Sequence, residues 1–145
     1  MKIELILDSW KDDAVIDPTN LGQAALKFTE LHQKYYRLYS NEKQIHRMLS
    51  SQFKILKLQK FEFYCQGPDI ESEAKGWKLP ACGKILRSDV PMYLEGDIDL
   101  IKLSLKIGSQ LEKLELLESI LKALTNRGYA IRNQLDWLKF TNGER

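Results

Sequence analysis

Residues 98–140 read IDLIKLSLKIGSQLEKLELLESILKALTNRGYAIRNQLDWLKF. Within this stretch Leu100, Leu103, Ile107, Gln110, Leu114, Leu117, Leu121, Leu124, Gly128, Ile131, Leu135 and Leu138 recur at alternating steps of three and four. Ten of these twelve positions are large and aliphatic. Such a 3.5-residue repeat, kept over five heptads, predicts one long helix with a coiled-coil seam. Asp97 or Asp99 stands where a cap belongs, and Glu95 adds charge that suits a helix start. Ile98, Ile101, Leu105, Leu111 and Ile120 widen the apolar face. An antiparallel hairpin could bury that face against an earlier helix. A single partner helix would not cover it, so the reading leans to self-assembly through Leu103, Ile107, Leu114, Leu117, Leu121, Leu124, Ile131 and Leu135. Gly128, on the seam, either permits close helix packing or bends the helix ahead of Ile131–Phe140.

The earlier helix is marked just as plainly at its ends. Asp17-Pro18 is a helix-start pair: aspartate can cap free amides, and proline at the first position loses no hydrogen bond. From Pro18 to Tyr64 there is one glycine, Gly22, and no further proline. Leu21, Ala25, Phe28, Leu31, Tyr35, Leu38, Ile45, Leu49, Phe53, Leu56 and Phe63 supply apolar positions, which predicts a helix over 18–64 with a flaw allowed near Ser40-Asn41. Gly67-Pro68 stops it. Ahead of it, Ile3, Ile6, Leu7 and Trp10 recur at helical spacing and Asp12-Asp13 closes the stretch, so a short amphipathic helix is expected within 1–17. It is too short to stand alone and must dock. Residues 65–96 form a connector rich in Pro and Gly, in which Lys84-Ile85-Leu86-Arg87 could be extended. A connector so long is unusual unless it packs or functions. The expected fold is all-α, a single domain over 1–145, with a long basic helix, an irregular connector and a C-terminal assembly helix over 97–140.

Composition limits the function classes. Lys+Arg is 22 against 20 Asp+Glu, in 145 residues, so the chain is no polycation but can hold a local basic patch. Cys65 and Cys82 are too few for a disulfide framework, and with His32 and His46 they do not make a structural zinc site. No apolar run approaches the roughly 18 residues of a membrane span. Met1-Lys2-Ile3-Glu4-Leu5 has an acid inside its apolar stretch and no small-residue cleavage site, so it does not read as a signal peptide. A reduced cytosol is expected. No phosphate loop, zinc-protease pattern or nucleophile–base spacing is present, and no catalysis, metal or cofactor is expected.

Charge segregation is the informative feature. From Lys43 to Phe61 the chain holds Lys43, Arg47, Lys54, Lys57 and Lys60 and no acid, with Glu42 and Glu62 at the borders. With Lys43 as zero and about 100° per residue, Arg47 lies near 40°, Lys54 near 20°, Lys57 near −40° and Lys60 near −100°. Ser50 fills the gap in the row. The stripe from 43 to 57 would be about 21 Å long. A row of cations without alternating acids repels itself unless an anion binds. The readings are a phosphate-binding face or a solvated face neutralised by acids from elsewhere. Phe61-Glu62-Phe63-Tyr64 follows; aromatics beside cations suit single-stranded nucleic acid, though Phe61 and Phe63 fit a core better, and Tyr64 is left open. A basic-zipper duplex reader is ruled out, because that architecture needs one continuous helix and this chain breaks at Gly67-Pro68.

The chain resembles the UvsY-type recombination mediators of T-even-like phages. The resemblance rests on Asp17-Pro18-Thr19-Asn20-Leu21, on Leu56-Lys57-Leu58-Gln59-Lys60-Phe61-Glu62-Phe63-Tyr64, on Lys84-Ile85-Leu86-Arg87-Ser88-Asp89 with Tyr93-Leu94, and on Asn126-Arg127-Gly128-Tyr129-Ala130-Ile131-Arg132. It implies a non-enzymatic protein of homologous recombination and repair in the cytoplasm of the infected bacterial host. Such a mediator binds single-stranded DNA as a ring-like homo-oligomer. It helps a phage recombinase load where the phage single-strand-binding protein sits, and touches both. The family's DNA-binding run reads like Leu-Lys-Ala-Arg-Leu-Asp-Tyr-Tyr. Lys60, Glu62, Phe63 and Tyr64 match it, while the other cation shifts one place to Lys57 and Cys65-Gln66-Gly67 departs from the family's Ser-Gly. The nucleic-acid-binding set implied by stripe and resemblance together is Lys43, Arg47, Lys54, Lys57, Lys60 and Tyr64. The family's C-terminal part is associated with self-assembly, in line with the seam. The residues alone also allow an oligomeric helical scaffold or adaptor whose basic face binds an acidic protein partner.

Overall fold

The computed structural model describes residues 1–143. Among them there are five helices and no strand: α1 Ile3–Asp13, α2 Leu21–Gln66, α3 Ile70–Ala74, α4 Val90–Glu95 and α5 Ile98–Thr141. The all-α class predicted from the sequence holds. Among the described residues no helix is long and apolar enough to cross a membrane.

Helix α2 begins at Leu21, three positions after Pro18, for a local reason. Asp17 turns its carboxylate onto the Thr19 amide (2.9 Å) and hydroxyl (2.6 Å), closing a separate turn. The capping falls to Asn20 instead. Its Oδ1 accepts from the Gln23 amide at 3.3 Å, its Nδ2 donates to Gln23 Oε1 at 2.8 Å, and its carbonyl takes the Ala24 amide. The helix then runs unbroken through Ser40-Asn41 for 46 residues. It stops at Gly67, whose amide returns to the Phe63 carbonyl at 2.9 Å with φ at +90°. That left-handed cap suits glycine, and Pro68 prevents continuation. Helix α5 is capped by Asp97, which accepts the Leu100 amide at 3.1 Å.

The connector is packed rather than loose. Asp69 and Ser72 form a reciprocal capping box at the start of α3, and Pro91 sits in the first turn of α4. Residues 84–87 are irregular and not a strand.

The chain divides into two compact units. The terminal unit comprises Met1–Gln44 and the chain from Leu111 onward. Its core is Ile6 of α1, Tyr35 of α2, and Leu117, Ile120 and Leu124 of α5, with Trp10, Phe28, Leu31, Leu38 and Leu121 packed around them. Docking on the other two helices is what stabilises the short α1. Pairs such as Phe28 with Gly128 and Tyr39 with Glu118 show α2 and α5 running antiparallel here. Gly128 admits the Phe28 ring: a Cβ there would stand 3.2 Å from the ring edge. Helix α5 continues past it, so close packing explains this glycine and a bend does not.

The central unit is Ile45–Gln110. Its core is Phe63 and Tyr64 of α2, Val90 and Leu94 of α4, and Leu100 of α5, with Phe53, Leu56, Trp77, Leu79 and Ile85 around it. The connector therefore builds much of this unit's core.

Candidate nucleic-acid interface

In the central unit the α2 backbone fixes which cations face water. Arg47, Lys54 and Lys57 are exposed. They lie within about 80° of one another around the helix and span about 15 Å along it. Among the described residues no acid pairs with any of them. Ser50 is half-buried in the same row. Lys43 falls in the terminal unit, exposed, with its Nζ 3.4 Å from the Tyr39 hydroxyl and 5.4 Å from that ring's centroid.

Lys60 and Tyr64 stand apart from this set. The Lys60 side chain is 5 % exposed, and its ammonium sits 2.8 Å from Asp99 Oδ2 and 3.2 Å from Asp97 Oδ2. It also lies 4.0 Å from the centroid of the Trp77 ring. The Tyr64 hydroxyl donates to Asp97 Oδ2 at 2.7 Å. Burial alone would raise the Asp97 carboxyl, but the Tyr64 hydroxyl, the Leu100 amide and Lys60 together outweigh it and hold it below the ordinary carboxylate range. Burial pushes the Tyr64 hydroxyl up, and the adjoining carboxylate pushes it further. This is a buried charge cluster that ties the end of α2 to the start of α5. Its lysine is already neutralised and has no free face for a phosphate.

A signal for this was present in the chain. Phe53, Leu56, Phe63 and Tyr64 lie near −80°, −140°, −160° and −60° on the same wheel, and Lys60 at about −100° stands among them. Nothing comparable marked Trp77, Asp99 or Arg87 as neighbours of this region, because the connector brings them in from far along the chain.

The seam residues also divide. Leu114, Leu117, Leu124 and Ile131 are buried within one copy of the chain, Leu117 and Leu124 completely. Leu103, Ile107, Leu121 and Leu135 are half-buried, and Leu121 packs on the terminal core. In the terminal unit the seam thus closes against the chain's own α1 and α2. Within one copy of the chain Leu117 and Leu124 have no exposed surface left. The exposed apolar side chains of α5 in the central unit are Ile98, Ile101 and Leu105; in the terminal unit Tyr129, Trp137 and Phe140 are prominent.

Comparison with known proteins gives a consistent picture. The family model described as "Recombination, repair and ssDNA binding protein UvsY" matches residues 9–144. Among solved structures, the bacteriophage T4 recombination mediator protein UvsY in its lattice type II is 23% identical, with a TM-score of 0.80 and 98% of each chain covered. The lattice type IV structure of that protein is 20% identical with a TM-score of 0.77, covering 97% of this chain and 99% of its own. These likenesses establish the fold. No curated protein sequence matches the chain significantly.

Proposed function

We propose a function from one premise: the chain belongs to the UvsY family. It binds single-stranded DNA without sequence preference and acts as a recombination mediator of a phage, in the cytoplasm of the infected host. It does so by helping the phage recombinase load onto strands held by the phage single-strand-binding protein. The observation that carries this reading is the exposed, acid-free row Arg47, Lys54 and Lys57. Unpaired cations on a rigid helix attract phosphates, and contacts to the phosphate backbone carry no sequence information, which suits sequence-tolerant binding. Lys60 and Tyr64 hold the helix end in place rather than touch the strand.

Three contacts per protomer are weak, so function requires several copies. A ring-like homo-oligomer converts them into avidity on long strands. Copies meet through exposed apolar residues of α5 such as Ile98, Ile101 and Leu105, since Leu114, Leu117, Leu124 and Ile131 are engaged inside each copy.

A second reading, an adaptor for an acidic protein, draws on the exposed Met48, Ile55 and Leu58 of the same stretch of α2. Titration of oligo-dT at several salt concentrations separates the two. Each single-strand phosphate contact contributes about −0.7 to the slope of log K against log salt. Replacing Arg47, Lys54 and Lys57 together by Ala should flatten that slope by about 2, with the helical signal in circular dichroism retained. A wild-type slope near zero, or marked preference for one sequence, sinks the nucleic-acid reading in favour of the adaptor.

A further inference from the structure

Just beyond Lys57 the basic row runs into an open cavity of about 320 Å³, lined by Phe61, Glu62, Cys65, Gln66, Ile85 and Arg87. Phe61 follows Lys57 by one turn and lies about 20° from Lys54 and about 40° from Lys57 around the helix. The strand that follows the cations is therefore led to this ring. Phe61 is half-buried, so its position is fixed by the central core while part of it remains on the surface. The far wall comes from the connector. Ile85 is half-buried, and the exposed Arg87 places its guanidinium carbon 5.9 Å from the centroid of Phe61.

We propose that this cavity accepts one unstacked base of a single strand, which stacks on Phe61 as the exposed Arg87 side chain swings outward from its cation–π position 5.9 Å over that ring and closes on the outer face of the base. The proposal rests on the single-strand reading above and adds a base subsite to its phosphate row. Four features fit a base. An aromatic ring fixed on one side and an arginine on the other are the two side-chain types that stack on nucleobases. The volume is at the small end of the ligand-cavity range of about 300–1,000 Å³, enough for a single flat ring system rather than a second chain. Glu62 on the rim repels a phosphate, which leaves the base as the part of the strand that enters. Gln66 beside it offers both a donor and an acceptor to base edges of any identity, which keeps the site tolerant of sequence.

The consequence is discrimination by strand state. In a duplex every internal base is stacked on both faces and paired, so none can enter without breaking the helix. A row of cations alone would favour the denser charge of the duplex. The base subsite reverses that preference and accounts physically for choosing single strands.

The test uses the full chain and two ligands of equal length and charge: oligo-dT, and an abasic oligomer with the same phosphodiester backbone. The wild type should bind oligo-dT about tenfold more tightly, the order expected for one stacked base. Phe61→Leu keeps an apolar side chain on the core but removes the stacking face. Arg87→Gln changes an exposed residue and leaves the core untouched. Each should bring the ratio of the two affinities close to one without changing the salt slope. Equal wild-type affinity for the two ligands overturns the subsite while leaving the phosphate row standing, and so does an undiminished ratio in both variants. A chain that binds neither ligand overturns the single-strand reading and this subsite with it.

Discussion

In the terminal unit the Tyr35 hydroxyl donates to Asp13 at 2.7 Å and Lys34 donates to the same oxygen at 2.6 Å. In the central unit Tyr64 donates to Asp97 at 2.7 Å, and Lys60 bridges Asp97 and Asp99 at 3.2 and 2.8 Å. Both clasps join a tyrosine and a lysine of α2 to an aspartate from another helix or its cap. They differ in access to water. The Lys34 side chain is 46 % exposed and the Lys60 side chain 5 %. The first lysine can exchange its partner for water at little cost. The second cannot, so its charge belongs to the fold. Two lysines on one helix thus carry equal formal charge and unlike duties, and counting cations along the sequence does not tell them apart.

The comparison is broken most severely at Lys60. Lys60→Ala leaves two carboxylates facing each other without their cation, one of them buried, which costs about 3–5 kcal/mol. Urea denaturation should show a midpoint far below the wild type. If stability holds and only DNA affinity falls, Lys60 is a phosphate contact after all and the comparison fails.

Acid separates the clasps more gently. The Asp97 carboxyl is lowered from its ordinary 3.8 in the fold, despite burial, by its donors. A carboxyl lowered on folding adds stability that is present above its unfolded value and is lost as pH falls through its folded value. Asp13 is lowered too: burial alone would raise it, and Lys34 and Tyr35 outweigh that. Both clasps should therefore weaken below about pH 4. In urea midpoints measured against pH, Asp97→Asn should flatten the acid limb more than Asp13→Asn, because Asp97 is the more buried. The reverse order would show that water reaches the central clasp as freely as the terminal one.

The smallest effect is expected at Lys34. Lys34→Ala removes a half-exposed partner and should cost under about 1 kcal/mol, since surface ion pairs contribute 0–1. Tyr35, whose hydroxyl burial pushes up to about 12, still donates to Asp13. A loss as large as that of Lys60→Ala would erase the distinction between the two units.

Local rules carried most of the helical layout. The 3.5-residue repeat, the glycine–proline stop and the aspartate at 97 act within a few residues, so they are legible without the fold. The start of α2 was displaced by three positions because Asp17 and Asn20 compete for the same capping role, and only the turn around Thr19 decides between them. The cationic row was legible in part. Arg47, Lys54 and Lys57 face water as the helical wheel places them, but whether Lys60 faces water depends on where Trp77, Asp97 and Asp99 arrive.

By itself the sequence determined the three longer helices, their main breaks and the existence of one acid-free basic stretch, because periodicity and capping are properties of neighbouring residues; the short α3 and α4, inside what reads as an irregular connector, were not legible. Only the tertiary structure decided what each face meets. A heptad seam states that an apolar stripe must be covered and says nothing about whose atoms cover it. Here α1 and α2 cover Leu117 and Leu124 from within the same chain. A lysine likewise states a charge and not its counter-ion, and the ion pairs of Lys60 span 37 and 39 positions of sequence. The physical reason is the same in both cases: burial and ion pairing depend on distance in space, which the chain settles only when the connector and α5 return to α2.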